Sequence, residues 1–314
     1  IALQQLSREA DAARVLYEHF LSRLNETSAQ QGNQRADSRI LSDAVVPHQP
    51  SAPRRGLILA MSAVFGLLSS VGLILLREMR YTGFRTLRDL EAATGCSVLG
   101  QIPKMPAKAG ANVLRYLADR PMSAVAEAIR DLRSSLLRLN GGSPPQVIVC
   151  TSSVPGEGKT AASLTLAQSL CGLGKSVLLV EADSRCRGLE QPSRKGIGAV
   201  LQEGLSLSEA VHRPDGFDAH VLGCDGIDAH VADLFASDRF QTLMEEARQT
   251  YDAVIIDAPP LLLSPDARII AEQADAILFT VRWDRTNRGQ VEEAMRLIQY
   301  SGQRITGLVL SQFS

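Results

Sequence analysis

The chain has 314 residues, with 33 basic against 34 acidic side chains and a formal net charge of −1. That length suits about two domains with a sizeable core, and so even a balance leaves no electrostatic footprint for nucleic acid. The five cysteines, Cys96, Cys150, Cys171, Cys186 and Cys224, show no C-x-x-C spacing, which speaks against a zinc site.

Residues 1–28 read as a helix. Leu6, Ala10, Ala13, Tyr17, Phe20 and Leu24 alternate steps of four and three, which makes either a coiled-coil seam of about three heptads or one helix of a small bundle. A polar stretch from Gln30 to Ser38 follows, then Pro47, Pro50 and Pro53 at every third position, a spacing that favours an extended polyproline strut. Leu57 to Leu76 is an apolar run of twenty residues without a charge, long enough to cross a bilayer as a helix. Its place well inside the chain excludes a signal peptide. Arg54 and Arg55 flank one end and Arg77, Arg80, Arg85 and Arg88 the other, so loop charge barely decides orientation. All five cysteines lie beyond the span, as suits a reduced cytoplasmic compartment.

Arg77 to Gly110 reads as a juxtamembrane linker with a short helix over Thr86 to Thr94. A second helix spans Met122 to Asn140, with Glu127, Arg130 and Arg133 on one face at i, i+3 and i+6. From Gln146 onward strands and helices alternate. The spacing predicts strands at 147–151, 177–181, 253–257, 276–282 and 306–310, and helices at 160–172, 237–249, 265–273 and 288–300. The strands are continuous apolar runs, as in a buried, mostly parallel α/β sheet with helices on both faces. Functional groups then gather at the strand C-terminal ends.

The first such end carries Thr151-Ser152-Ser153-Val154-Pro155-Gly156-Glu157-Gly158-Lys159-Thr160, ahead of a helix that opens with Ala161. A strand, a Gly-rich turn closing in Gly-Lys-Thr and a helix make a nucleotide-phosphate cradle, the P-loop. The turn from Pro155 to Ala161, with its backbone N–H groups from Gly156 onward, and the positive helix end face phosphates. Lys159 reaches the β- and γ-phosphates and Thr160 a Mg2+ ion. Because ATP is cytoplasmic, this motif puts residues 77–314 inside and residues 1–56 outside. Val177 to Val180 ends in Glu181-Ala182-Asp183, and Ala253 to Ile256 in Asp257-Ala258-Pro259-Pro260. One such carboxylate can hold magnesium and another can orient or deprotonate an attacking hydroxyl.

These motifs resemble the bacterial tyrosine kinase (BY-kinase) domain, a relative of the septum-site and partition P-loop ATPases. Glu127-Ala128-Ile129-Arg130-Asp131-Leu132-Arg133 is similar to that family's Glu-x-x-Arg-x-x-Arg helix, which the resemblance links to ring-like self-association. The N-terminal third resembles the membrane-proximal end of a polysaccharide chain-length determinant, and Leu99-Gly100-Gln101-Ile102-Pro103 the segment after its span. The family implies a further transmembrane helix before Ile1. It implies Lys159, Glu181, Asp183 and Asp257 as catalytic residues, Thr160 and Asp257 on Mg2+, and Glu127, Arg130 and Arg133 in oligomerisation. The sequence departs from the family at four points. Glu181 stands for the usual Asp, Cys186 for an Arg after Arg185, and Ser311 for an Asn near the adenine. No tyrosine-rich tail follows Tyr300.

The expected organisation is an extracytoplasmic helix and strut (1–56), a transmembrane helix (57–76), a juxtamembrane linker (77–120) and a cytoplasmic P-loop kinase domain (121–314). The resemblance implies an inner-membrane, ATP-dependent protein-tyrosine autokinase and co-polymerase for exopolysaccharide, with the polymerase or export machinery and a cognate phosphatase as partners. Two alternatives stay open: a co-polymerase that ATP switches without phosphotransfer, and a membrane-tethered partition-type ATPase.

Overall fold

The computed structural model describes residues 2–33, 52–79, 83–106, 111–139, 143–183, 195–224 and 231–313. The chain divides into two compact units, residues 1–72 and 73–314.

The first unit holds helix α1 (Ala2–Asn33) and most of α2 (Arg55–Met79). Leu6, Tyr17, Phe20 and Leu24 of the α1 seam are all exposed. Pro47, Pro50 and the polar stretch beyond Asn33 lie outside the described residues. Over Arg55–Leu76, α2 is long and apolar enough to cross a membrane, with Leu57, Leu59, Phe65 and Ile74 exposed on different sides. A helix apolar all round is one whose surroundings are themselves apolar.

The second unit begins with α3 (Leu87–Thr94). Thr86 caps it by accepting from Asp89 N at 3.1 Å, and Gly95 ends it at φ 67°. Next come β1 (Val98–Pro103), α4 (Ala111–Asp119), α5 (Ala124–Leu137), β2 (Val147–Ser152), α6 (Lys159–Cys171) and β3 (Val177–Glu181). A π-helical turn at Ala199–Glu203 leads to α7 (Leu207–Ala210), β4 (His220–Leu222), α8 (Val231–Phe235), α9 (Asp238–Thr250) and β5 (Ala253–Asp257). The unit closes with α10 (Asp266–Ala271), β6 (Ala276–Arg282), α11 (Arg288–Tyr300) and β7 (Gly307–Phe313).

Among the described residues the sheet has seven strands in the order β1-β7-β6-β2-β5-β3-β4, and every pair is parallel. Alternate side chains feed two cores. Val147 and Val149 of β2 join the core under α3, α9, α10 and α11, while Ile148 and Cys150 join the one under α5 and α6. Burial on both faces explains why the central strands read as unbroken apolar runs.

The linker expected at 77–120 is corrected. Phe84 and Leu90 are fully buried in the core, β1 pairs with β7 from Val98↔Leu308 onward, and Leu114 of α4 is buried. The α/β unit therefore takes in Gly83 to Arg120 as well. β1 lies at the sheet edge, its apolar run is broken by Gly100 and Gln101, and its partner is distant in sequence. β4, the opposite edge, was not foreseen either.

Candidate active site

The order of the sheet builds the site. β2, which leads into the Gly-rich turn, lies between β5 and β6, and β3 lies beyond β5. Cys150 of β2 is level with Asp257 of β5, and Asp257 with Glu181 of β3. The turn and the three carboxylates predicted as a site thus share one end of a parallel sheet, where ligands of such sheets bind.

The turn needs its glycines. Gly156 and Gly158 have φ of 82° and 91°, and a Cβ on Gly158 would meet Ser311 Oγ at 3.1 Å. Gly158 caps α6 without a side-chain hydrogen bond, so the first N–H groups of the helix remain for an anion. Small residues such as Ala162, Ser163 and Ala167 let α6 bury on nearly every side.

Lys159 is only 4% exposed. Its Nζ lies 2.8 Å from Asp183 Oδ2 and 3.4 Å from Asp257 Oδ1. Thr160 Oγ1 donates to Asp257 Oδ2 at 2.6 Å, and Ser163 Oγ reaches Asp257 Oδ1 at 3.4 Å. Burial pushes the Asp257 carboxyl up from its ordinary value; Lys159 and Thr160 oppose the shift and Asp183 adds to it. Beside them, burial pushes the Cys150 thiol up to about 12, so it is no nucleophile. Glu181 is buried at the tip of β3. Arg185 and Cys186 lie outside the described residues. A Thr hydroxyl and a carboxylate in contact are hard oxygen donors that fit Mg2+, and Lys159 at the helix start fits a phosphate.

Three features were not foreseen. The Glu157 side chain, expected in the cofactor cradle, turns inward and is 2% exposed. It accepts from Val154 N at 2.9 Å, from Ser153 Oγ and from Thr286 Oγ1. Ser311 of β7 donates to the Glu157 carbonyl, and Gln312 Nε2 to the Gly156 carbonyl at 3.3 Å. Arg133 does not project with its two companions: it donates to Ser169 O at 2.7 Å and Ser169 Oγ at 3.0 Å on α6. Arg130 pairs with Glu127 at 3.3 Å on α5. Thr286 carried no sequence signal of its own beyond following a strand that adjoins β2.

Two family models match the chain: a G-rich domain carried by tyrosine kinases over residues 2–79, and an AAA domain over residues 145–303. The succinoglycan biosynthesis transport protein ExoP of Rhizobium meliloti is 28% identical over 345 residues, a match covering 99% of this chain and 44% of that protein. The tyrosine-protein kinase etk of Escherichia coli is 27% identical over 332 residues, covering 98% of this chain and 45% of that protein. The chain thus spans less than half the length of these relatives. The kinase domain of the Escherichia coli tyrosine kinase ETK superposes with a TM-score of 0.64, covering 72% of this chain and 92% of that domain at 24% identity, a likeness of fold. With its P-loop, its parallel sheet and a matching model over half its length, the chain belongs to the AAA-domain family, and its homologues are tyrosine kinases and exopolysaccharide transport proteins.

Proposed function

We propose that this chain is the kinase-bearing part of an ATP-dependent protein-tyrosine autokinase that works in exopolysaccharide biosynthesis or export. The observation that carries this reading is the buried cluster of Lys159, Thr160, Asp183 and Asp257 at adjoining strand ends. Lys159 and the turn amides would hold the phosphates and stabilise charge on the transferred group. Thr160 and Asp257 would hold Mg2+, which supplies charge neutralisation on the phosphate oxygens. Asp183 or Glu181 would orient the tyrosine hydroxyl and take its proton. Residues 57–76 would anchor the chain in the bacterial inner membrane, with the nucleotide site inside and residues 1–56 outside. Self-association through the α5 face of Glu127 and Arg130 would present a neighbour's tyrosine. The polysaccharide polymerase or export machinery and a cognate phosphatase would be its partners.

The test uses the full chain in detergent with labelled ATP, Mg2+ and a tyrosine-rich peptide, beside Lys159→Ala. Phosphotyrosine that depends on Lys159 supports the kinase. Glu181 favours a second reading, an ATP-switched co-polymerase without transfer, because a carboxylate displaced by one methylene, about 1 Å, is badly placed for proton transfer. Nucleotide binding with no phosphotyrosine supports that reading.

A further inference from the structure

Glu157 presents a physical puzzle. A carboxylate buried beneath a phosphate cradle opposes phosphate by its charge, so what it supplies must be shape. Its two oxygens accept from three neutral donors, Ser153 Oγ, Val154 N and Thr286 Oγ1. Burial pushes its carboxyl up from the usual range, and the bonds from Thr286, Val154 and Ser153 oppose that shift.

The Thr286 hydroxyl has a fixed direction. It accepts from Arg282 N at 3.0 Å, so its own proton goes to Glu157. Thr286 is itself 2% exposed, on the loop between β6 and α11. The same side of the turn is held at its backbone. The Gly156 carbonyl takes Gln312 Nε2 and the Glu157 carbonyl takes Ser311 Oγ, both from the end of β7. In a planar trans peptide the C=O and the next N–H point oppositely. Carbonyls of Gly156 and Glu157 pinned toward β7 therefore turn the N–H groups of Glu157 and Gly158 to the opposite, open side.

We propose that Thr286, acting through Glu157, is a positioning residue for the nucleotide phosphates. It locks the turn in the one shape that presents the Glu157 and Gly158 amides. The inference rests on the nucleotide reading of the site.

The experiment measures Mg·ADP dissociation constants by calorimetry on the full chain, together with KM and kcat for ATP. Thr286→Val keeps the volume and removes the donor. It is expected to raise the Mg·ADP Kd and the KM for ATP roughly tenfold, the loss of one charge-assisted bond, with kcat near the wild-type value. Thr286→Ser is expected to restore both. If Thr286→Val fails to fold, Glu157→Gln takes its place: its amide must face Thr286 or Val154, and Kd and KM rise together. Wild-type Kd in Thr286→Val, a fall in kcat with KM unchanged, or no rescue by Ser overturns the positioning role alone. A wild-type chain that binds no Mg·ADP overturns the nucleotide reading with it.

Discussion

Lys159 Nζ and Asp183 Oδ2 lie 2.8 Å apart, both nearly sealed from solvent, and Asp257 Oδ1 completes the group at 3.4 Å. The ammonium expected to meet a phosphate therefore lies against two carboxylates. Drawing it toward a phosphate takes the ammonium away from Asp183 and Asp257, a cost that a cation at the site offsets.

Nucleotide and Mg2+ should then bind with strong mutual dependence. In Asp183→Asn the ammonium has one carboxylate fewer to leave. ADP affinity measured in EDTA should rise roughly tenfold, while phosphotransfer falls. Calorimetry with and without Mg2+ reads this directly, and unchanged or weaker Mg-free binding would count against the exchange.

Glu181 sits level with Asp257 at the tip of its strand. Glu181→Asp shortens the side chain by one methylene. If Glu181 limits proton transfer, the single-turnover rate should rise by up to about 10²-fold with Mg·ADP affinity unchanged. A rate that does not move would place the limiting step elsewhere.

Arg133 and Arg130 should separate in their effects. Arg133 ties α5 to α6 through Ser169, so Arg133→Ala should cost about 1–3 kcal/mol of stability. Arg130 pairs with the half-exposed Glu127 and donates to the Ala126 and Pro121 carbonyls around the start of its own helix, so Arg130→Glu should cost about 1 kcal/mol while weakening self-association. Denaturant melts and sedimentation on the same samples compare the two.

Asp275 gives a pH-dependent prediction at the opposite end of the sheet. It accepts from Val147 N at 2.7 Å, Gln146 N at 3.0 Å and Arg248 at 2.8 and 2.9 Å. Burial works to raise its carboxyl, but the Arg248 and backbone bonds outweigh it and hold the group below its ordinary value. Its stabilisation is thus fully present above that value and is lost as pH falls through the lower folded one. Asp275→Asn should be about 1 kcal/mol less stable than wild type at pH 7, after allowance for solvent screening. The gap should close as the pH falls through the lowered folded value, as urea titrations across the acid range would show.

The parts of the fold legible in the sequence were those buried on both faces. β2, β3, β5 and β6 are unbroken apolar runs, and the Gly-Lys-Thr turn and the carboxylates after β3 and β5 are local in sequence. β1 and β4 were not legible: β1, at one edge, breaks its apolar run with Gly100 and Gln101, and β4, at the other, has three residues. The inward turn of Glu157 was hidden because its third partner, Thr286, is brought near only by β6 lying beside β2. Arg133 shared helical spacing with Arg130, but spacing alone does not say which arginine meets α6.

The pairing of β1 with β7 has a consequence for how the unit is made. β1 leaves the ribosome before the P-loop, and β7 only after the other strands of the sheet. Until then Leu99 has no neighbour at Gly307, a position where an added Cβ would lie 2.1 Å from Leu99 Cδ1. That edge of the sheet therefore stays open until β7 is made, and closing it spans nearly the whole unit, which is slow and leaves β6 exposed meanwhile. Loss of the final strand would strip partners from β1 and β6 and remove the Ser311 and Gln312 contacts to the turn at once. β7 thus acts as a check on completeness: a copy that lacks it has an unfinished sheet and an unsupported phosphate loop together.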